Sequence, residues 1–280
     1  PPVAQSKKLM KEPALYEVDD VSIAHPQLQS CLAVLSQKEI VFSADKGLAM
    51  INLMSGVQKP FSDELDKIYS LDAKGNFTVS VNSMSTVYLF DNLTRKPLLK
   101  LYDFTGREEE IPHFGGVRLI GGNLVVSPKE VWLCGNNKEI WMHDLNKPEV
   151  RNELKVNIEV NYFSENAYSN LIIAAVDGND VPIFDRRTLS QVMTLKGHTD
   201  FSMGVDLHQS LPLAATGNQD NSAKVWDLRN HKKAIATMPT KLSAANKVLF
   251  VSDSKIAVME TMDFVSCFEF HSCIQDSKMV

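Results

Sequence analysis

Two short apolar runs separated by a polar turn stand out from Leu213 to Arg229, where the chain reads LAATGNQDNSAKVWDLR. Apolar residues at consecutive positions, as in the first run, are typical of a strand buried on both faces. The turn holds the Gly, Asn and Asp residues that hairpins favour. The second run ends in Trp226 and Asp227. We therefore predict an antiparallel hairpin that ends in an aromatic and an acidic residue.

The same unit recurs along the chain. The polar residues that end the copies are Asn52, Asp91, Asp144, Asp185, Asp227 and Glu269, at successive spacings of 39, 53, 41, 42 and 42 residues. A period of about 40–45 residues is the length of one four-stranded blade of a β-propeller. The long interval before Asp144 predicts a loop insertion around residues 105–128, in which Val117 to Ile120 form a short strand between two Gly-Gly turns.

The period predicts an all-β propeller. Small sheets stacked around a ring cover each other's faces, whereas an isolated sheet of such strands would expose its edges and aggregate. The aromatic residues Phe90, Trp141 and Trp226 are predicted to fill the wedges between blades. The best helix candidate is a short one, from Ser62 to Tyr69.

We divide the chain into a polar N-terminal segment, 1–13, and a propeller, 14–280. About six blades are visible, and the last stops one strand short. Either flanking sequence supplies the rest of the ring, or residues 14–23 provide the missing strand.

The stretch from Gly197 to Arg229 resembles a complete WD40 repeat, from its GH dipeptide to its WD dipeptide. In that family a Trp, a Ser or Thr, a His and an Asp form a hydrogen-bonded tetrad within the blade. The resemblance gives these structural roles to Trp226, Thr216, His198 and Asp220. A buried carboxylate and a buried imidazole are costly without partners, so a chain of four satisfied groups would fix the geometry of the blade.

The other units depart from the WD40 pattern. Asp45 holds the position of the tetrad acid in the first unit, but Met84 and Asn137 hold it in the second and third. WD40 rings usually contain seven blades, and this chain shows about six. Within the family, the segment from Gly217 to Asn230 is most similar to a poorly characterised group of fungal and plant WD-repeat proteins, which does not assign a task.

Composition excludes several classes of protein. The chain has 280 residues, 44% of them hydrophobic and 22% charged, which is typical of a soluble globular protein. Its four cysteines are scattered, without a CxxC pair, so we expect a reducing compartment, the cytoplasm or the nucleus. The formal charge of −5 gives no net attraction to nucleic acid or to anionic lipid. The apolar runs are too short for a membrane-spanning helix.

The sequence contains no motif for catalysis or for a cofactor. HExxH, GxSxG, the phosphate-binding P-loop and GxGxxG are all absent from it. Cys267, His271 and Cys273 form the only local group of soft metal ligands, but alternation along a strand would point them to different faces. We therefore expect a protein that is not an enzyme and has no cofactor, no catalytic residue and no metal.

By the WD40 resemblance, the loop after GH and the turn before the tetrad acid lie on the top face of the ring. The candidate partner-binding residues there are Thr199, Phe201 and Gln219, with Ala44 at the matching position of the first unit. Phe201 is the candidate anchor, because an aromatic side chain stands where a polar one would suffice for folding. Packing within the blade is the alternative role for its ring.

Three arginines follow the acidic ends of two neighbouring units: Arg186, Arg187 and Arg229. The sequences DRR and DLR resemble the WDxR element by which some WD40 proteins dock onto the adaptor of a cullin ubiquitin ligase. The alternative is that they are solvated turn residues. The leading hypothesis is a protein-interaction platform, most concretely a ubiquitin-ligase substrate receptor that binds a peptide or degron. The alternative is a nuclear WD40 scaffold in transcription or RNA processing.

Overall fold

The computed structural model describes residues 31–44, 47–62, 67–102, 113–120, 128–166, 169–262 and 265–270. These residues form six separate antiparallel sheets and no helix. In each sheet the strands are neighbours in chain order, and the sheets are the blades of a β-propeller. The predicted all-β propeller with about six visible blades is therefore confirmed.

The first three blades have four strands each. Blade 1 contains β1 (Leu32–Ser36), β2 (Glu39–Ala44), β3 (Gly47–Asn52) and β4 (Gln58–Ser62). Blade 2 contains β5 (Ile68–Lys74), β6 (Phe77–Asn82), β7 (Val87–Asp91) and β8 (Pro97–Leu101). Blade 3 contains β9 (Phe114–Ile120), β10 (Glu130–Gly135), β11 (Glu139–Asp144) and β12 (Lys147–Lys155).

The last blade differs from the two before it. Blade 4 contains β13 (Val160–Asn166), β14 (Leu171–Val176), β15 (Val181–Asp185) and β16 (Ser190–Leu195). Blade 5 contains β17 (Ser202–Leu207), β18 (Leu213–Asn218), β19 (Ser222–Asp227) and β20 (Ala236–Pro239). Blade 6 has three strands within the described residues: β21 (Ala245–Ser252), β22 (Lys255–Glu260) and β23 (Val265–Glu269).

The first strand of each blade is the inner one. The inner strands pack in succession, β1 against β5, β5 against β9, β9 against β13, β13 against β17 and β17 against β21. The upper rim of the ring is the one that carries the turns between second and third strands and the connections between blades. The opposite rim, with the remaining turns, is the lower rim.

Aromatic side chains fill the seams between blades, at the predicted positions and at one further position. Phe90 and Trp226 are buried as expected. Trp141 is only partly buried, but it packs against the buried cluster of blades 2 and 3, with its ring centroid 5.5 Å from that of Tyr102 and 5.2 Å from that of Phe114. His143, not Trp141, pairs with the second residue of its neighbouring strand as Trp226 does. The buried indole of blade 3 is Trp132, which stacks on Phe163 of blade 4 with ring centroids 5.9 Å apart.

Two local predictions differ from the structure. The short helix candidate from Ser62 to Tyr69 does not extend to its ends, because β4 ends at Ser62 and β5 begins at Ile68, while residues 63–66 lie outside the described residues. The first Gly-Gly pair of the predicted insertion is not a turn but part of β9. Gly116 lies so close to the second strand that a Cβ there would be 2.6 Å from the Sγ of Cys134. Three other predictions lie outside the described residues. They are the N-terminal segment 1–13, the strand proposed at 14–23, and the insertion around 105–128 except for residues 113–120 and 128.

Candidate functional site

The four residues of the predicted tetrad form one hydrogen-bonded chain in blade 5. Trp226 Nε1 donates to Thr216 Oγ1 at 2.9 Å. The same hydroxyl lies 2.7 Å from His198 Nε2, and His198 Nδ1 lies 2.8 Å from Asp220 Oδ2. A carboxylate can only accept, so Nδ1 carries the imidazole proton and Nε2 accepts from the threonine hydroxyl. Each donor in the chain therefore has an acceptor.

Burial and hydrogen bonding set the charges of this tetrad. Desolvation lowers the pKa of His198, and the nearby Asp220 offsets this only in part. Burial opposes the ionisation of Asp220, but hydrogen bonds from Ser222 and His198 outweigh it and lower the pKa of its carboxyl group. At neutral pH the chain therefore joins a neutral imidazole to an ionised carboxylate.

The corresponding positions of the other blades are built differently. Thr216 is the fourth residue of its strand, and the fourth residue of β6 is Ser80. Phe90 stands in blade 2 where Trp226 stands in blade 5, because each pairs with the second residue of the neighbouring strand. Without an indole N–H nearby, the hydroxyl of Ser80 is buried with no hydrogen-bond partner. Blade 2 thus packs on an apolar ring where blade 5 uses the polar chain.

The predicted partner-binding residues of blade 5 lie together on the upper rim. Thr199, Phe201 and Gln219 are all exposed, whereas Ala44 is half-buried on the same rim of blade 1. The side chain of Phe201 is 42% exposed, so its ring is not part of the packed interior of the blade. It is therefore available to a partner.

The loop that carries Phe201 is held in place by its neighbours. The N–H of Phe201 donates to Asp200 Oδ1 at 2.8 Å, and its carbonyl accepts from the N–H of Gln219 at 2.9 Å. Asn218 Nδ2 donates to the carbonyl of Asp200 at 2.6 Å. These bonds fix the backbone, so binding at the exposed ring would not have to order the loop first.

Three further exposed apolar side chains on the upper rim were not predicted as partner-binding residues: Met84, Leu242 and Met262. Met84 and Met262 each lie seven residues before the end of their unit, at the position that Asp220 has in blade 5. In these two blades an apolar side chain therefore stands on the rim in place of the tetrad acid, whereas blade 3 has Asn137 there. Alignment of the repeats could have identified both residues.

Arg187 and Arg229 occupy the same turn of blades 4 and 5 on the lower rim, and both are exposed. Each pairs with the acid two residues earlier; Arg229 Nη2 lies 2.6 Å from Asp227 Oδ2, and its Nε donates to Asp227 Oδ1 at 2.9 Å. Beside Arg229 is a cavity of about 250 Å³ between blades 4 and 5, lined mainly by apolar side chains such as Leu228 and Met193.

Arg186 differs from its two neighbours in this predicted patch. Its Nη2 lies 3.1 Å from Glu130 Oε2, its Nη1 lies 3.8 Å from Glu165 Oε2, and its guanidinium lies 5.1 Å from the ring centroid of Trp132. The side chain therefore joins blade 4 to blade 3. Arg187 and Arg229 face solvent, but Arg186 does not.

The described part of the chain contains no group of three or more His, Cys, Asp or Glu side chains that could hold a metal ion. Cys267 belongs to it, whereas His271 and Cys273 lie outside. A helix of the length and apolarity needed to cross a membrane does not occur in this part either.

Comparison with known proteins gave no relative. Neither a scan against models of protein families nor a search of curated proteins found a match to this chain.

Proposed function

We propose that the chain is a WD40-type protein-interaction platform without enzymatic activity, and that a peptide segment of a partner binds across its upper rim. The observation that carries the proposal is the exposed ring of Phe201 on a loop held by backbone hydrogen bonds. Aromatic anchors of this kind contribute much of the binding energy at protein interfaces.

The surroundings of Phe201 support an extended partner. Leu242 and Met262 of blade 6 are exposed on the same rim, next to blade 5 in the ring. The polar side chains of Thr199 and Gln219 lie on the Phe201 side. Exposed apolar anchors bordered by polar groups are typical of a protein interface.

In its most concrete form, the proposal is that the chain is a substrate receptor of a ubiquitin ligase in the cytoplasm or nucleus. The ligase scaffold would bind Arg187 and Arg229 on the lower rim, and the degron would bind on the upper rim. Two features support this arrangement. The patches lie on opposite rims, so both partners can bind at once, and a cavity with apolar lining adjoins Arg229.

Affinity purification of the full chain from cells, with quantitative mass spectrometry of the partners, tests the proposal. We expect Phe201→Ala to weaken recovery of the substrate-like partner by at least about tenfold, the effect of losing a hot-spot side chain. Leu98→Ala is the matched control, because Leu98 is also an exposed apolar side chain but lies on an outer strand. Unchanged recovery of every partner with Phe201→Ala would refute the upper-rim site.

The lower rim needs its own variant. Arg187→Glu combined with Arg229→Glu should abolish recovery of a ligase scaffold and leave the upper-rim partner bound. Retention of the scaffold by this variant would remove the docking arrangement. The purification could instead recover subunits of transcription or RNA-processing complexes and no ligase subunit. That result would favour a nuclear scaffold over a ligase receptor.

A further inference from the structure

The inner strands present two tiers of side chains to the central channel. The first tier lies next to the upper rim. Its residues pair with the fifth residue of the second strand in their blades, and they are Ser70, Gly116, Tyr162, Gly204 and Lys247. The second tier lies opposite the third residue, one step deeper, and includes Asp72, Arg118, Ser164 and Asp206. Residues of five blades therefore share the first tier, and residues of at least four share the second.

Lys247 reaches across the first tier. Its Nζ lies 3.2 Å from the ring centroid of Tyr162, two blades away. Gly204, on the blade between them, leaves the necessary room, because a Cβ there would lie 2.6 Å from the carbonyl oxygen of Asn246 and 2.9 Å from the Cα of Lys247. The ammonium group thus lies inside the channel and not at the surface of blade 6.

The acids of the second tier already have partners. Asp72 Oδ2 accepts from the N–H of Leu119 at 2.8 Å, on the next blade. Asp206 Oδ2 accepts from the N–H of Phe250 at 2.9 Å, and its Oδ1 accepts from the Ser164 hydroxyl at 3.0 Å. These carboxylates therefore join neighbouring blades through hydrogen bonds.

The bases are not satisfied in this way. Arg118 Nε lies 3.9 Å from Asp72 Oδ2, which is too far for a hydrogen bond, and it is buried without an acceptor. Its other N–H groups have no acceptor among the described residues either, although a guanidinium has five donors. Lys247 has no hydrogen bond or ion pair within the same residues, only the Tyr162 ring.

The acids of the channel have hydrogen-bond donors, whereas the two bases have no acceptor in the part of the chain that the structure describes, so the channel lacks an acceptor group for Lys247 and Arg118. Burial lowers the pKa of Lys247 to about 8, and the charge of Arg118 acts in the same direction. A group with two acceptor oxygens would satisfy both cations, and a carboxylate matches the fork of a guanidinium. A phosphate dianion fits less well, because Asp72 and Asp206 already bring two carboxyl groups to the same level.

We propose that the upper part of the channel binds a carboxylate between Lys247 and Arg118. The source of the group rests on the function proposed above: it is an acidic side chain of the segment that crosses the upper rim. Such a side chain meets Lys247 in the first tier and Arg118 one step below. The site therefore predicts that the partner segment carries an acidic side chain as well as an apolar group that contacts Phe201.

The test is the rate at which Lys247 of the full chain is acylated by a small amine-reactive reagent at pH 7, measured by mass spectrometry with exposed Lys232 as the internal reference. The probes are glutarate and a blocked Gly-Glu-Gly tripeptide, with glutaramide and Gly-Gln-Gly as neutral controls. A bound carboxylate raises the pKa of a neighbouring ammonium by about one unit or more, so acylation should slow about tenfold. The neutral probes should leave the rate unchanged.

Arg118→Gln should abolish this protection, and Arg118→Lys should retain part of it; circular dichroism checks that both variants remain folded. Absence of protection by either carboxylate, or equal protection of Lys232, would overturn the site. Protection by glutarate and not by the tripeptide would overturn the peptide source alone. Neither result depends on the recovery of partners with Phe201→Ala, so failure of the channel site and failure of the platform function are separate outcomes.

Discussion

The indole of Trp226 and the hydroxyl of Thr216 are joined by a 2.9 Å hydrogen bond between two strands of blade 5, and this bond links the seam of the blade to its polar interior. Trp226 is almost fully buried, so its N–H has no access to water as an alternative acceptor. The threonine hydroxyl also lies within hydrogen-bond distance of His198. One oxygen therefore satisfies two buried side chains.

Replacement of Thr216 by valine should destabilise the protein by about 2–3 kcal/mol, because it keeps the shape and leaves two buried polar groups without partners. The measurement is equilibrium unfolding by denaturant. The matched control is Ser80→Ala in blade 2, which removes a hydroxyl that has no partner. We expect this control to leave stability unchanged or to raise it, so equal losses in the two variants would contradict the role of the tetrad.

The pH dependence of stability should reveal the state of His198. Its pKa in the folded chain lies below the ordinary value of 6.5, so the unfolded chain binds more protons between the two values. Stability contributed by the neutral imidazole is thus present above pH 6.5 and falls as the pH is lowered through the folded pKa. Asp220, whose pKa is also lowered, loses its contribution at more acidic pH, below its ordinary 3.8.

Unfolding curves of the wild type and of His198→Gln at pH 7, 6 and 5 measure this effect. The wild type should lose stability between pH 7 and pH 5, by at most about 1.4 kcal/mol for each pH unit. The variant starts lower and should change less over the same range. Parallel curves for the two proteins would show that His198 does not titrate as its burial requires.

Local motifs explain which parts of the fold could be predicted. The blade period follows from polar residues that end each third strand, and these are visible in the sequence without knowledge of packing. The tetrad was predictable because the residues and spacing of one repeat resemble the WD40 pattern. The residue of blade 3 that takes the position of Trp226 was not predictable, because Trp141 and His143 lie two residues apart and have the same strand parity, so the pattern cannot tell which is the more buried.

The channel could not be predicted for a different reason. Arg118 and Lys247 are 129 residues apart in the sequence and meet only because β9 and β21 contribute to the same ring. Their level in the channel depends on the register of each inner strand with its neighbour. A short strand with a basic residue has the same local pattern whether its side chain faces solvent or the axis.

Arg186 and Arg187 offer a test of two adjacent side chains with different roles. Arg186→Met should destabilise the chain by about 1 kcal/mol, because it breaks the contact of blade 4 with Glu130 of blade 3 and leaves the mostly buried carboxylate of Glu165 without its cation. Arg187→Met should leave stability unchanged, since its guanidinium is solvated and pairs only with Asp185. Thermal unfolding measures both variants. If Arg187→Met caused the larger loss, the assignment of the inter-blade contact to Arg186 would be wrong.

The close approach of β9 to β10 predicts a pair of compensating substitutions. Gly116→Ala places a Cβ 2.6 Å from the Sγ of Cys134, which is fully buried, so we expect a loss of about 1–3 kcal/mol from overpacking. Cys134→Ala removes the sulfur and by itself should cost about 1 kcal/mol through the small cavity that it leaves. In the double variant the new methyl group occupies part of that cavity. The double variant should therefore lose about 1 kcal/mol less free energy of unfolding than the two single variants lose together. A loss equal to that sum would mean that the two side chains do not meet.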